Sequence, residues 1–379
     1  MKNGKILYLF LSITALLICI GLIFIYSSSS AYALERCNDA LYYVKKQALG
    51  LFLGVIGAIF FCIVPLERLK KASPFLFLAM LLATAATLVP GIGLSIHGSH
   101  RWLIFKGFTF QPSELLKVFF IVYCAYFLDK KQFSLHSITH YLQLLCVIAV
   151  TACILLLQPD FGQMVTLSLT AALLFFLAQV PLQYLLITGV LVVPLLGLLV
   201  FLKPYRFHRI MIYQNPWKDP QGAGFQIIQS LIAIGSGNWF GTGIAQSKQK
   251  FFYLPMHHTD FIFSIIAEET GFIGVLFLII LYGLFCFVGL KLAASMHDLF
   301  SFFCIAGIII LITLQTTINI SVACALLPTK GIGLPFISYG ASSLLSHLCM
   351  IGIIINCVIN NEHGRLNHTK TSAHPRDFF

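Results

Sequence analysis

Long apolar runs, separated by short polar punctuation, dominate the chain. A helix that crosses a bilayer needs about 20 apolar residues. Ten segments approach that length: Ile6–Tyr26, Gln47–Val64, Pro74–Val89, Ser113–Leu128, Tyr141–Leu157, Gly162–Ala178, Leu182–Leu202, Phe261–Leu290, Leu299–Leu327 and Ala341–Ile359. The third is short and the weakest of the ten. No fixed-period repeat and no second domain are visible. The pattern predicts an all-α, polytopic membrane protein, with about ten transmembrane helices in a single domain over 1–379. One large extracytoplasmic loop, 203–260, separates segments seven and eight. Arg365–Phe379 reads as a polar, disordered inner tail.

Composition sharpens this picture. The chain is 59% hydrophobic and 10% charged, whereas soluble domains are about 25% charged. Residues that polar-poor could not cover a soluble surface. The 35 Phe residues suit lipid-facing positions. The net charge of +11 includes no basic run long enough for a nucleic-acid groove, so membrane loops and an anionic lipid substrate account for it better. Of 11 cysteines, ten fall inside apolar segments and read as small core residues, while Cys37 falls in a loop. No zinc-type spacing appears. The first apolar run is too long for a signal peptide, whose hydrophobic region spans about 7–15 residues.

Ten crossings put both termini on one side. With the N-terminus inside, the inner loops carry more Lys and Arg than the short outer loops. The long loop is basic on balance and holds Trp217 and Trp239. Its Gly-rich stretch from Ala233 to Gly243 predicts tight turns and close backbone packing. Such a loop is either an interfacial belt or a catalytic lid, and its length favours the lid.

Charge inside a span costs about 2.5–3.5 kcal/mol on insertion scales, so each instance needs an account. Glu114 and Lys117, three apart, share one helical face. They form either an ion pair that steadies the helix or a site where Lys117 meets a phosphate. Arg101 and Lys106 lie just before them. Asp260 opens the eighth segment at the water boundary. Glu268 lies about 12 Å deeper along an unbroken helix, so Glu268 and Glu269 read as buried structural carboxylates. No nucleotide-binding loop competes. The remaining source of chemical drive outside the cell is a lipid-linked diphosphate.

At this point the residues form a recognisable pattern. Arg101-Trp102 followed by Gln111-Pro-Ser-Glu-Leu-Leu-Lys117 resembles a signature of the SEDS family (shape, elongation, division and sporulation). Gln158-Pro-Asp-Phe-Gly162, Asn215-Pro-Trp-Lys-Asp-Pro-Gln-Gly-Ala-Gly-Phe-Gln226 and Gln229-Ser-Leu-Ile-Ala-Ile-Gly235 match further motifs of that family. So do His258-Thr-Asp-Phe-Ile-Phe263 with Glu268-Glu269, Leu327-Pro-Thr-Lys-Gly331 and Leu334-Pro-Phe-Ile-Ser-Tyr-Gly340. Ser247-Lys-Gln-Lys-Phe-Phe-Tyr-Leu-Pro255 and Thr329-Lys330 are similar to the division-type branch. Met256, where that branch usually has an acidic residue, and Ala341, where a glycine is usual, depart from the pattern.

The resemblance implies a peptidoglycan glycosyltransferase that polymerises lipid II into β-1,4 glycan at the outer face of the bacterial cytoplasmic membrane, with both termini cytoplasmic. Asp260 is the implied catalytic base, although helix capping is an alternative for its carboxylate. Arg101, Lys117 and Arg206 or Arg209 are the implied diphosphate contacts, with Glu114 and His258 beside them as substrate contacts. A divalent cation such as Mg2+ or Mn2+ would share the load, but no carboxylate cluster marks a site for one, and the cofactor stays unassigned. The implied partners are a class B penicillin-binding protein transpeptidase, other division proteins and membrane lipid, with no nucleic acid. A lipid II flippase and a non-enzymatic scaffold for a transpeptidase are the rival readings.

This topology makes Cys37 the thiol that a bulky, membrane-impermeant maleimide labels from outside intact cells. Labelling should disappear in the Cys37→Ser variant; equal labelling of that variant would overturn the topology.

Overall fold

The computed structural model describes residues 2–96, 99–105, 108–131, 137–201, 211–222, 224–249, 259–329 and 331–371. Each of the ten predicted segments coincides with a helix. The chain begins with α1 (Lys2–Cys37), α2 (Tyr42–Ile63) and α3 (Leu66–Ala86). Next come α4 (Pro112–Lys131), α5 (Ile138–Leu157), α6 (Phe161–Leu177) and α7 (Leu182–Phe201). After the long loop, which contains α8 (Phe225–Ser236), follow α9 (Ile262–Ala294), α10 (Leu299–Ala323) and α11 (Ala341–Thr371). Seven of these are long and apolar enough to cross a membrane: α1, α2, α3, α5, α9, α10 and α11. The others among the ten are α4, which carries buried charge, the 17-residue α6, and α7.

Several boundaries move. The third segment starts at Leu66, with Pro74 inside it, so it is not short. The tail is helical to Thr371, which corrects the expected disorder for 365–371; residues 372–379 lie outside the described residues. Cys37 is the last residue of α1 rather than part of a loop, and it is exposed. Cys124, Cys304, Cys349 and Cys357 are buried, but Cys19, Cys146 and Cys153 are exposed on helix faces, so those three are not core residues. Such outward faces also carry Phe52, Phe60, Phe176, Phe277 and Phe287, as a lipid-facing surface requires.

The sequence also gave no warning of a small antiparallel sheet between α3 and α4. Strands β1 (Gly93–Ile96), β2 (Ser99–Phe105) and β3 (Phe108–Phe110) pair in sequence order, with Leu94 opposite Trp102 and Leu103 opposite Phe110. Stretches of four, seven and three residues are too short to register in a search for spanning helices.

The helix ends sort into two groups. At one end Lys70 of α3 pairs with Asp129 of α4 at 2.8 Å, and its ammonium lies 5.5 Å from the Phe300 ring of α10. Asn356 of α11 donates to the carbonyls of Phe61 and Val64, which closes the end of α2 there. At the other end lie the sheet, the long loop and the turn before α9.

Helices α2 and α11 approach closely. A Cβ on Gly50 would lie 2.7 Å from the Cα of Ala341 and 2.8 Å from its methyl. The bare backbone at 50 is therefore what lets the two helices approach at Ala341, a small-residue contact of the kind that packs membrane helices.

The turn after α8, at 238–243, is built into the bundle. α9 has 33 residues and is broken at Gly271, where φ is 65° and ψ is −165°. The turn after α8 fills the break. Thr242 and Gly243 donate N–H to the carbonyls of Glu268 and Glu269, while Phe272 and Ile273 donate to those of Asn238 and Trp239. Freed backbone groups at membrane depth need such partners. The Trp239 ring meets Phe272 edge-on at 5.3 Å.

Gly271 occupies a region open essentially to glycine alone, and a Cβ there would lie 2.4 Å from the Gly241 nitrogen. Gly271→Ala should therefore destabilise the protein by at least about 1–3 kcal/mol. Gly283→Ala, whose added methyl meets nothing within 4 Å, should be neutral. Thermal melting of the two variants in detergent makes the comparison.

Candidate functional site

Asp260 sits in a turn two residues before the first helical residue of α9. The N-cap position is taken by Phe261, whose side chain makes no cap hydrogen bond. The turn is held through its backbone. The Ser338 hydroxyl donates to the Thr259 carbonyl and accepts from the Leu334 N–H at 2.7 Å. The Asn319 amide donates to the carbonyls of Asp260 at 2.8 Å and Ile332 at 2.7 Å. Gln47 in turn holds the loop before α11, accepting from the Gly340 N–H at 3.0 Å. Gly331 lies beside the carboxylate: a Cβ there would be 3.4 Å from Asp260 Oδ2.

A second polar group lies inside the bundle. Lys117 and Glu114 pair at 2.7 Å, and both are buried. Glu114 Oε1 accepts from the Gln163 amide at 2.8 Å, and Oε2 accepts from the Ser346 hydroxyl at 3.2 Å. His347, beside Ser346, contacts the Ser343 hydroxyl at 3.4 Å and Gln315 Oε1 at 3.1 Å. Gln315 and Asn319 lie one turn apart on α10, about 6 Å along its axis. That helix thus joins the turn of Asp260 to the cluster around Lys117. The sequence reading missed Gln163, Gln315, Asn319, Ser346 and His347. The signal was present: polar side chains within apolar spans need partners just as charges do, but only charges were traced.

Arg101 has a definite place. It projects from β2 onto the turn between α5 and α6, donating to the carbonyls of Gln158 and Pro159 and lying 3.6 Å from Asp160 Oδ2. Asp160 caps α6 through the Gln163 N–H at 3.2 Å. Burial pushes its carboxyl up, and the Arg101 guanidinium opposes that shift. Because the Gln163 side chain also bonds Glu114, Arg101, Asp160, Gln163, Glu114 and Lys117 form one connected chain. The two sequence motifs that carry them are one physical unit. Arg206, Arg209 and His258 lie outside the described residues, as do Lys106 and Met256.

Glu268 and Glu269 are structural, as their depth predicts. Glu269 accepts from the Ser27 hydroxyl at 2.6 and 2.7 Å. Glu268 accepts from the Ser247 hydroxyl and from the Lys248 N–H at 2.8 Å. Among the described residues no group of three or more His, Cys, Asp or Glu could hold a metal ion.

The sequence profile of the cell cycle protein family FTSW_RODA_SPOVE matches residues 7–363. A Geobacter protein described as a probable peptidoglycan glycosyltransferase FtsW is 41% identical over 347 residues, covering 91% of this chain and 95% of its own. The stage V sporulation protein E of Bacillus subtilis is 39% identical over 345 residues, covering 91% and 94%. Among solved structures, a chain from a peptidoglycan synthase complex, in work on how polymerization and crosslinking are coordinated, superimposes with a TM-score of 0.79 at 29% identity, covering 93% and 98%. The rod shape determining protein RodA of Thermus thermophilus does so with a TM-score of 0.71 at 25% identity, covering 93% and 97%.

Removing one member of the buried ion pair leaves the other unpaired. Lys117→Met should cost about 3–5 kcal/mol, and the double replacement of Glu114 and Lys117 by Met should recover most of it. Thermal unfolding in detergent reads both.

Proposed function

Because the chain belongs to the FTSW_RODA_SPOVE family of cell cycle proteins, we propose that it is a division-type peptidoglycan glycosyltransferase that polymerises lipid II at the outer face of the bacterial cytoplasmic membrane. The observation that carries the mechanism is the Asp260 turn. Its two carbonyls, at 259 and 260, are bonded by side chains of other segments. A carboxylate carried on a backbone fixed in this way suits a general base, which must be held within reach of the proton it takes.

In the reaction, the 4-hydroxyl of an incoming lipid II GlcNAc attacks the anomeric carbon at the reducing end of the growing glycan. Asp260 takes the hydroxyl proton as the new C–O bond forms. The bond to the undecaprenyl diphosphate breaks with inversion, giving a β-1,4 linkage and a diphosphate leaving group. Cations offset the charge that develops there. Lys117 is the buried candidate: its ammonium has three donors, and Glu114 is its ion-pair partner. Arg206 and Arg209 join it in this reading, with Glu114 and His258 as further substrate contacts. Arg101, engaged by the turn at 158–160, adds field rather than a free fork. A divalent cation would add to the same charge. The reading places both termini in the cytoplasm, a class B penicillin-binding protein transpeptidase alongside as partner, and other division proteins around the pair.

The test is transfer of radiolabelled lipid II into glycan by the purified protein with its transpeptidase partner. Wild type should form glycan strands, which neither a flippase nor a scaffold does. Asp260→Asn should fold, bind partner and lipid II, and make no glycan. A rate near wild type in that variant would show that Asp260 is not the base. The double Met variant of Glu114 and Lys117, if normally folded, should also be inactive; surviving activity would leave Lys117 a purely structural role.

A further inference from the structure

We propose that Asn319 is a positioning residue for Asp260, setting the register of its carboxylate against the cluster around Lys117; this rests on the reading of Asp260 as the catalytic base. Asn319 lies in the last turn but one of α10 and is 2% exposed. Its neighbours include an apolar cluster of Phe261, Ile265, Ile318, Val322 and Ile332. A primary amide is costly there unless its hydrogens are used, and both are. They go to the carbonyls of Asp260 and Ile332, residues 59 and 13 positions away. Two carbonyl partners fix which end of the amide is the donor. They leave Oδ1 buried and without a hydrogen-bond partner among the described residues.

The bond reaches Asp260 at its own peptide unit. Movement of the amide therefore moves the Cα that carries the carboxylate, whereas a bond to a neighbouring side chain would not. The same amide ties that unit to the loop before α11 through Ile332, next to Gly331, which lies beside the carboxylate. One turn down, Gln315 bonds His347, which follows the Ser346 that donates to Glu114. α10 is therefore a rigid spacer between the proposed base and the proposed counter-charge. Placement errors of about 1 Å at a reacting group cost roughly a hundredfold in rate. A spacer of this kind acts on turnover and leaves lipid binding largely intact.

Three variants test the idea in the lipid II polymerisation assay, each compared per folded protein. Asn319→Asp keeps the shape and leaves at most one donor for the two carbonyls; Asn319→Leu removes the polarity; Asn319→Gln keeps the amide on a longer stem. Asp and Leu should lower kcat about 10- to 100-fold, with KM for lipid II within about threefold and partner binding retained. Gln should recover part of the loss. Wild-type kcat in the Asp and Leu variants would overturn the proposal. So would a loss that follows the folded fraction alone, or failure of all three variants to fold, since each describes a structural strut. Asp260→Asn, run in parallel, separates the two readings. If it is active, the base assignment fails. If it is inactive while the Asn319 variants are normal, the positioning claim alone fails.

Discussion

Inside an apolar bundle, a charged or polar side chain must find its partners within the protein, because no water is present to supply them. The ion pair of Lys117 and Glu114 is where this constraint acts most strongly, and much of the surrounding structure follows from satisfying it. Glu114 draws in Gln163 from α6 and Ser346 from α11. Gln163 in turn lies over the cap made by Asp160, which is braced by Arg101 from the sheet. Each partner fixes the rotation of the helix that carries it. Four elements are thus registered around one carboxylate, and a lysine that would be expelled from lipid is held in place.

The same constraint explains the broken helix. A glycine at Gly271 interrupts the hydrogen-bond ladder of α9, and the Gly-rich turn after α8 restores the missing bonds from outside. The turn that follows α8, at 238–243, is therefore part of the hydrogen-bond ladder of α9. Glu268 and Glu269, just before the break, accept from Ser27, Ser247 and Lys248 and tie α1 and the loop to the same place. Polymer chemistry at Asp260 would be carried out above this junction, on a turn whose carbonyls are held by Ser338 and Asn319.

The departures from the family pattern divide in an instructive way. Ala341 packs against Gly50 across the helix interface, where a Cβ at 50 would meet both its Cα and its methyl. A single residue read along the chain could not reveal that, because the contact lies on another helix. Met256 falls among residues whose structure is not described, and nothing in the fold bears on it.

Periodicity and composition alone determined that this chain is a helical membrane protein, since the length of an apolar run is a local property. Local spacing also placed Glu114 beside Lys117 and set Glu268 and Glu269 apart from Asp260. Motif order carried the family, because several signatures in sequence are specific where any one is weak. What the chain could not disclose depended on residues far apart. The three-stranded sheet is too short to leave a pattern, and the break at Gly271 makes sense only beside the turn that repairs it. Asp260 was legible as a residue, but the bonds that hold its turn, from Ser338 and Asn319, were not. Those features are decided by which helices pack together: a hydrogen bond between positions 59 residues apart has no period to read, and burial makes such a bond obligatory only once the partners meet.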